Sequence, residues 1–375
     1  MKDMKEKYVY KPKPLPPLTD EARKELRKRL LNRPITLITG QWGDMSADEL
    51  FDIMHNIGYD GLELACGTDH FDVRKWRENV PVEVMVDGKK MQVPYQEFKT
   101  KQLQQYDLGV WALSNHCVGQ CVLDKIDKRH YAITPSYLHD KDPEKFWQNC
   151  KQEMIDTAKA AKDLGAKIVT GFTGSSIWNL FYCWPPVKPE MIKDGYKLLK
   201  QRWKPILDEY QELGVKFALE VHPTEIAFDI WSALRTLEAL EGHPAFGFNF
   251  DPSHLLWQRI DPVEFIRMFP DRIYHVHMKD AALQLDGKNG LLNSHLAFAD
   301  PRCGWSFRSL GHGDVDFEKI IRALNDIRYD GPLSVEWEDS GMDRKHGAKE
   351  AYEFVKKLKF PISEQGFENF DKPQA

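Results

Sequence analysis

The stretch from residue 214 to residue 251, GVKFALEVHPTEIAFDIWSALRTLEALEGHPAFGFNFD, holds two short apolar runs separated by a helical pattern. The first run, KFALE, ends at Glu220, and the second, FGFNFD, ends at Asp251. Between about residues 228 and 241 the apolar residues recur with the spacing of an amphipathic helix. A strand, a helix and a second strand in this order indicate two parallel strands joined by a covering helix.

The same alternation recurs along most of the chain. Eight apolar runs are predicted as strands: ITLITG, DGLELA, VWALSN, AKIVTGF, LGVKFALE, FGFNFD, RIYHVH and PLSVEWE. Eight such strands predict an α/β fold, a single (β/α)8 TIM barrel over residues 34–358. Residues 1–33 are expected to form an N-terminal extension, and residues 359–375 a C-terminal tail.

The long connections follow strands two, three, four and seven. They join strands to helices, so we expect these insertions in the βα loops to build walls or a lid over the active face. The insertion after strand two contains VDGKKMQVP, in which Asp-Gly between strand-forming residues predicts a hairpin.

The composition limits the classes of partner. With 375 residues and 42% hydrophobic content, the chain is large enough for one barrel or two ordinary domains, and one barrel is the more economical interpretation. A net charge of -5 favours neither nucleic acid nor an anionic membrane as a partner. The six cysteines form no CxxC pair. No apolar stretch approaches the roughly 18 residues of a spanning helix, and the first residues lack a signal-peptide core, so a cytoplasmic protein is expected.

Polar side chains stand at the ends of the last four predicted strands. They are Glu220, Asp251, His277 and Glu336. Consecutive barrel strands direct their carboxyl ends towards the barrel axis, so these side chains are expected to converge. Three buried carboxylates would repel one another, and a divalent cation removes that conflict. Each residue taken alone also has an interpretation without a metal. Asp251 could cap a helix, Glu336 could form a salt bridge with Lys279, and His277 could be a hydrogen-bonded histidine of the core.

The motifs LEVHP, FNFDPSH, HVHMKD and SVEWED closely resemble those of the xylose isomerase-like TIM barrel superfamily of sugar phosphate isomerases and epimerases, which also includes AP endonuclease family 2 proteins. The resemblance covers about residues 34 to 358. It implies that the four strand-end residues hold one divalent ion, with Mn²⁺ expected first and Co²⁺ or Mg²⁺ as alternatives. It also implies that His277, rather than His275, is the ligand in HVH.

The resemblance implies a sugar isomerase or epimerase. A cation that binds the hydroxyl and carbonyl oxygens of an α-hydroxyketone stabilises the enediolate formed when the adjacent C–H proton leaves. Glu220 and Glu336 are expected on opposite sides of the pocket, one to take the proton and the other to return it. Lys279 is placed to polarise an oxygen, although a salt bridge to Asp280 or Glu338 is an equal alternative.

Three other functions stay open. A 3-keto-glycoside lyase or C-/O-deglycosidase would use the same residues for β-elimination, and the long loops suggest a pocket large enough for a glycoside. An AP endonuclease-type phosphodiesterase would need more ligands at the earlier strand ends and a basic face. A non-catalytic sugar-binding subunit would not need two opposed carboxylates.

Further residues of the predicted loops are candidates for substrate binding. His222 and His254 resemble residues that contact substrate oxygens in these barrels, although His254 also suits a solvent-facing helix position. The other candidates are Glu63, His116, Arg308, His312 and Trp42. Arginines in the insertion after strand seven suit a carboxylate, a phosphate or neutral hydroxyls, and indoles suit the apolar face of a sugar. The expected partner is a small-molecule carbohydrate or glycoside, and a homo-oligomer or accessory subunit is left open.

Overall fold

The computed structural model describes residues 8–86 and 88–363. The first seven residues of the predicted extension, residue 87 of the predicted hairpin turn and residues 364–375 of the predicted tail lie outside the described residues.

Eight parallel strands close into a barrel. The strands of the chain are β1 (Ile35–Ile38), β2 (Gly61–Ala65), β3 (Pro81–Val86), β4 (Lys89–Pro94), β5 (Gly109–Ser114), β6 (Ile168–Gly171), β7 (Lys216–Glu220), β8 (Phe246–Phe250), β9 (Ile273–Met278), β10 (Asp280–Leu283), β11 (Trp305–Arg308) and β12 (Leu333–Val335). The closed order is β1, β2, β5, β6, β7, β8, β9 and β12, with β12 paired to β1. This confirms the predicted barrel and all eight of its strands.

Helices surround the barrel, and polar residues cap most of their starts. They are α1 (Asp20–Leu31), α2 (Ala47–Ile57), α3 (Val73–Glu78), α4 (Tyr95–Gln105), α5 (His116–Gln120), α6 (Lys128–Ile133), α7 (Pro143–Asp163), α8 (Pro189–Leu213), α9 (Ile230–Ala239), α10 (Pro252–Trp257), α11 (Pro262–Met268), α12 (Phe317–Asp326) and α13 (Arg344–Leu358). In α9, for example, Asp229 accepts a hydrogen bond of 2.7 Å from the Ser232 amide, which satisfies a free N–H of the first turn. None of the described helices combines the length and the apolar character needed to cross a membrane.

The core lies between the barrel strands and the helices, and it is rich in aromatic side chains. Phe217, Phe246 and Phe248 on β7 and β8 are fully buried. Trp203 of α8 packs on Phe217 with 4.5 Å between ring centroids. This packing fixes the strands, so the residues at their carboxyl ends have defined directions.

Two antiparallel strand pairs are built into the βα loops. The pair β3–β4 is the hairpin that the Asp-Gly turn predicted. The pair β10–β11 extends from the end of β9 and aligns Asp280 with Arg308. The buried Asp280 carboxylate accepts hydrogen bonds from the amides of Gly311 and Gly313, both at 3.0 Å, so the end of this insertion is tied to its start.

The described part of the N-terminal segment packs near the amino-terminal ends of the strands. Tyr10 donates a hydrogen bond of 2.5 Å to Asp271, just before β9. Arg29 of α1 forms an ion pair of 2.5 Å with Asp330, just before β12. The segment therefore contacts the end of the barrel opposite the predicted site.

Candidate metal centre

The four strand-end residues converge at the carboxyl end of the barrel. Glu220 ends β7, Asp251 follows β8, His277 lies near the end of β9 and Glu336 follows β12. One ligand atom from each lies within 4.8 Å of the others, and all four residues are buried. The structure therefore brings together the four residues predicted from the sequence.

The cluster has the oxygen atoms that a divalent cation would need. Asp251 caps α10 with Oδ1, which accepts hydrogen bonds of 2.8 Å from the Ser253 amide and 2.7 Å from its hydroxyl. Its Oδ2 is buried and accepts no hydrogen bond from any described residue. Burial raises the pKa of Asp251 to about 6, against the opposing charges of His254 and Lys279. Three carboxylates and one imidazole fit Mn²⁺ or Mg²⁺.

His277 is held from below by Glu63. Its Nδ1 lies 2.7 Å from Glu336 Oε2, and its Nε2 lies 3.1 Å from Glu63 Oε2. The Glu63 carboxylate also lies 2.7 Å from His275 Nε2 and accepts a hydrogen bond of 2.8 Å from Ser334. Glu63 is fully buried, so the prediction that it reaches a sugar hydroxyl is wrong. Together with Glu63 and His277, His275 also forms a second buried group whose possible ligand atoms lie within 4.8 Å of one another. That His277 rather than His275 is the metal ligand stays a prediction.

Two histidines hold the Glu220 carboxylate. His116 Nε2 lies 2.9 Å from Oε2, and His254 Nε2 lies 3.2 Å from Oε1. Burial raises the pKa of Glu220, but the close contacts of His116 and His254, together with the charges of His116 and His277, outweigh burial and hold that pKa well below its usual range. The solvent-facing alternative for His254 is wrong, because the side chain is buried against Glu220 and Asp251.

Lys279 connects Glu336 to the cavity. Its Nζ lies 3.0 Å from Glu336 Oε1 and 3.0 Å from Glu338 Oε2. It also lies 4.2 Å from the centre of the Phe307 ring. Burial alone would lower the pKa of Lys279, but the two glutamates outweigh it and raise that pKa, so the group is a cation. Of the salt bridges weighed for Lys279 from the sequence, those to Glu336 and Glu338 form.

Gln41 makes a contact with Glu336 that the sequence interpretation missed. Its side-chain amide donates a hydrogen bond of 2.8 Å to Glu336 Oε1. It follows β1, where the sequence interpretation proposed only Trp42 as a site residue. Its position at a strand end was the available signal, because an amide there can orient a carboxylate.

A cavity of about 520 Å³ lies over the cluster. Glu220, Glu336, Lys279, His116, His222 and His254 all line it. Burial lowers the pKa of His222 to about 3, with a contribution from the charge of His254, so the His222 imidazole is neutral. Aromatic side chains form the apolar part of the wall, namely Phe172, Phe298, Trp305 and Phe307.

Three predicted substrate contacts lie elsewhere. Trp42 is fully buried, and the guanidinium of Arg344 lies over its indole ring. Its predicted contact with a sugar is therefore wrong. Arg308 and His312 line a second cavity of about 450 Å³, next to the first. His312 Nε2 also lies 2.9 Å from Glu350 Oε2 at the exposed surface.

Comparisons with known proteins agree with this fold. The chain is 29% identical over 182 residues to the uncharacterized protein YfiH of Bacillus subtilis, a match that covers 46% of this chain and 56% of that protein. It is 26% identical over 200 residues to inosose dehydratase of Clostridium perfringens, covering 51% and 64%. Both matches span less than two thirds of the relative.

The fold is also found in the crystal structure of the 3-keto-D-glucoside 4-epimerase YcjR of E. coli, with a TM-score of 0.58 and 14% identity. That similarity covers 87% of this chain and all of the other. The family described as "Xylose isomerase-like TIM barrel" matches residues 51–358, which is most of the chain. The protein therefore belongs to the xylose isomerase-like TIM barrel family.

Proposed function

We propose that the protein is a divalent-metal-dependent isomerase or epimerase that moves a proton next to the carbonyl group of a sugar, keto-sugar or cyclitol. The observation that carries the proposal is the convergence of three carboxylates and one imidazole within 4.8 Å under an open cavity. A cation held there, with Mn²⁺ as the first candidate, would supply Lewis acidity that makes the C–H bond beside a substrate carbonyl more acidic.

Glu220 and Glu336 are the proposed acid and base. They stand on β7 and just after β12, which β8 and β9 separate in the barrel, so they reach the cavity from different sides. Burial raises the pKa of Glu336, but Lys279 and His277 outweigh burial and lower it to about 2. Both glutamates are therefore anions at neutral pH, so either can accept the C–H proton as the base. The other glutamate would take up a proton from solvent in the cavity and then donate it to the opposite face of the carbon. Transfer from one face of a carbon to the other inverts that carbon.

Lys279 and the histidines are proposed to position these groups and the substrate. Lys279 donates a hydrogen bond of 3.0 Å to Glu336 and faces the cavity, so it can also hold a substrate oxygen. His116 and His254 hold Glu220, which fixes the direction of its carboxylate. His222 lines the same cavity as a neutral imidazole, suited to hydrogen-bond a hydroxyl.

Elimination at the same site is the second candidate. The similarity to inosose dehydratase over about half of the chain supports it. The Lys279 ammonium is a proton donor inside the cavity, next to Glu336. One glutamate would take the C–H proton, the electron pair would form a double bond and expel the β-oxygen, and Lys279 would protonate that oxygen. A 3-keto-glycoside would then lose its aglycone.

The test is to incubate the Mn²⁺-loaded protein with a 3-keto-glycoside in D₂O and follow the products by NMR. Deuterium incorporation with inversion of a carbon supports epimerisation, and release of the aglycone supports elimination. The Glu336→Gln variant is expected to keep the fold and lose deuterium exchange by at least about 100-fold, since general acid–base groups contribute about 10²–10⁴-fold.

The matched control is Glu264→Gln, which changes an exposed glutamate paired with Arg267 on α11. It is expected to exchange at the wild-type rate. Wild-type exchange in Glu336→Gln would remove Glu336 from the mechanism. Failure of the purified protein to bind any divalent ion, with Glu220 and Glu336 intact, would overturn the proposal. Assembly with a second copy or with a partner subunit stays a prediction.

A further inference from the structure

The cavity over the metal cluster continues into a second compartment. The second cavity, of about 450 Å³, shares part of its lining with the first. The shared residues are Ala299, Ser306, Asp339 and Ser340. The first cavity is already within the range of about 300–1,000 Å³ that holds a small ligand, so the second compartment offers room for a substituent of that ligand.

Ser306 stands at the junction of the two compartments and has an unused polar group. Its residue is only 5% exposed, and its hydroxyl has no hydrogen-bond partner among the described residues. A buried hydroxyl without a partner costs free energy unless a ligand or water satisfies it. This hydroxyl is therefore free to bond a polar group at the junction.

Arg308 supplies a cation in the second compartment. Its side chain is half-buried and donates one hydrogen bond of 3.0 Å to the Phe307 carbonyl. It forms no ion pair with any acidic side chain of the described chain within 4.0 Å. The carboxylate that lines the same cavity, Asp339, is engaged by the Ser309 amide at 2.9 Å and the Gly341 amide at 2.8 Å.

We infer that the second compartment binds an anionic group, a carboxylate or a phosphate, carried by the substrate of the metal site. This inference rests on the proposed function. Arg308 binds the anion through its free N–H groups, and Ser306 donates a hydrogen bond to the part of the ligand that crosses the junction. The substrate is thus an acidic glycoside or conjugate whose sugar or cyclitol ring lies over the metal cluster.

Three aryl 3-keto-glucosides separate the sources of the anion. They carry a 4-carboxyl, a 4-phosphate or a neutral 4-carboxamide group on the aryl ring. Titration calorimetry with the Mn²⁺-loaded protein is expected to give at least about tenfold tighter binding for one of the two acidic probes than for the carboxamide, since a charge-assisted bidentate contact is a strong one. The preferred probe identifies the anion as carboxylate or phosphate.

Two arginine variants are compared on the same probes. Arg308→Gln is expected to reduce the ratio between acidic and neutral probes to about one. Arg302→Gln is the matched control, because Arg302 lies on the same insertion but is exposed and paired with Asp300 at 2.7 Å. It should keep the wild-type ratio.

The inferred anion binding and the proposed proton-transfer chemistry can be contradicted independently of each other. Equal affinity for acidic and neutral probes, an unchanged ratio in Arg308→Gln, or no binding of any probe overturns the inference. Deuterium exchange on the neutral probe without any acid preference leaves the proposed function standing. An Arg308-dependent preference with no exchange on any probe supports the second compartment and counts against the proposed chemistry.

Discussion

Glu63 shows how a side chain outside the ligand set can control it. The Glu63 carboxylate engages His277 Nε2, which leaves Nδ1 to face Glu336 and Glu220. A carboxylate behind a metal-binding histidine fixes the tautomer and orientation of the ring. We therefore expect Glu63 to position His277. The two residues meet only in the folded barrel, because β2 and β9 lie far apart in sequence.

We predict that Glu63→Gln weakens Mn²⁺ binding by about 10- to 100-fold, as expected when such a carboxylate is lost. Titration calorimetry measures the dissociation constant, and circular dichroism checks that the barrel remains folded. The matched control is Glu153→Gln, which alters another buried glutamate, on α7 and outside the four-residue cluster and the group of Glu63, His275 and His277. Unchanged Mn²⁺ affinity in Glu63→Gln would show that metal binding by His277 does not depend on its contact with Glu63.

Residue identities at the candidate centre were predictable, but several contacts were not. Glu220 and Asp251 could be placed because each ends an apolar run, and the end of a parallel strand has one direction. The burial of Trp42 and the use of Glu63 beneath the site depend on packing across the barrel. Such packing joins residues that no local pattern relates, so sequence alone assigned both side chains to the substrate.

At the scale of elements, α5 positions His116 and depends on a close backbone approach. A Cβ atom added at Gly119 would lie 2.1 Å from the Phe172 carbonyl oxygen, just after β6. We predict that Gly119→Ala lowers the free energy of unfolding by about 1–3 kcal/mol, the usual cost of overpacking. Urea denaturation measures it. The control is Gly290→Ala, where the added Cβ meets nothing within 4 Å. Equal free energies of unfolding for the two variants would contradict the prediction that the backbone approach at Gly119 leaves no room for a Cβ atom.

The loops after β6 and β7 are joined by a buried carboxylate, Glu225. Its Oε2 accepts hydrogen bonds of 2.8 Å from the Thr173 amide and 2.6 Å from the Gly174 amide. Burial raises the pKa of Glu225 to about 8, with a further rise from Asp124, and the hydrogen bonds oppose that rise. The folded state therefore holds this proton at pH values where the unfolded chain has lost it.

This proton makes stability depend on pH. Because the folded pKa is above the unfolded one, the contribution of Glu225 to the free energy of unfolding falls as pH rises from about 4.5 to 8. Glu225→Gln keeps a hydrogen-bond acceptor but cannot ionise. We therefore predict that the free energy of unfolding falls over this pH range by at least about 1 kcal/mol less in the variant than in the wild type, since one pKa unit is about 1.4 kcal/mol. Urea denaturation at pH 5 and pH 8 tests this, and parallel pH profiles would contradict it.

Local patterns predicted one antiparallel pair and missed the other. The turn of β3–β4 carries its own signal in Asp-Gly. The strands β10 and β11 are separated by residues 284–304, and their register depends on Asp280 meeting Gly311 and Gly313. Asp280 and Gly311 are 31 residues apart in the chain. No local sequence pattern could therefore predict the shape of this insertion.

At the scale of the whole molecule, the eight-strand barrel was predictable because its apolar runs and amphipathic helices alternate regularly. The candidate metal centre belongs to this scale, since its four proposed ligands come from the ends of four strands between Glu220 and Glu336. The unfolded chain does not bring these residues together, so a bound cation stabilises mainly the folded state. Metal removal is therefore a test of the architecture as well as of the site.

We predict that a chelator lowers the thermal midpoint of unfolding and that Mn²⁺ restores it. At a free metal concentration of about 100 times the dissociation constant, binding adds about 2.7 kcal/mol to the free energy of unfolding, which corresponds to a shift of a few degrees. Differential scanning calorimetry measures the shift. The Glu220→Gln, Glu336→Gln double variant removes two of three carboxylates and should show no response to Mn²⁺. A wild-type midpoint that ignores both chelator and metal, or a double variant that responds as wild type does, would mean that these four residues meet at the end of the barrel for a purpose other than holding a cation.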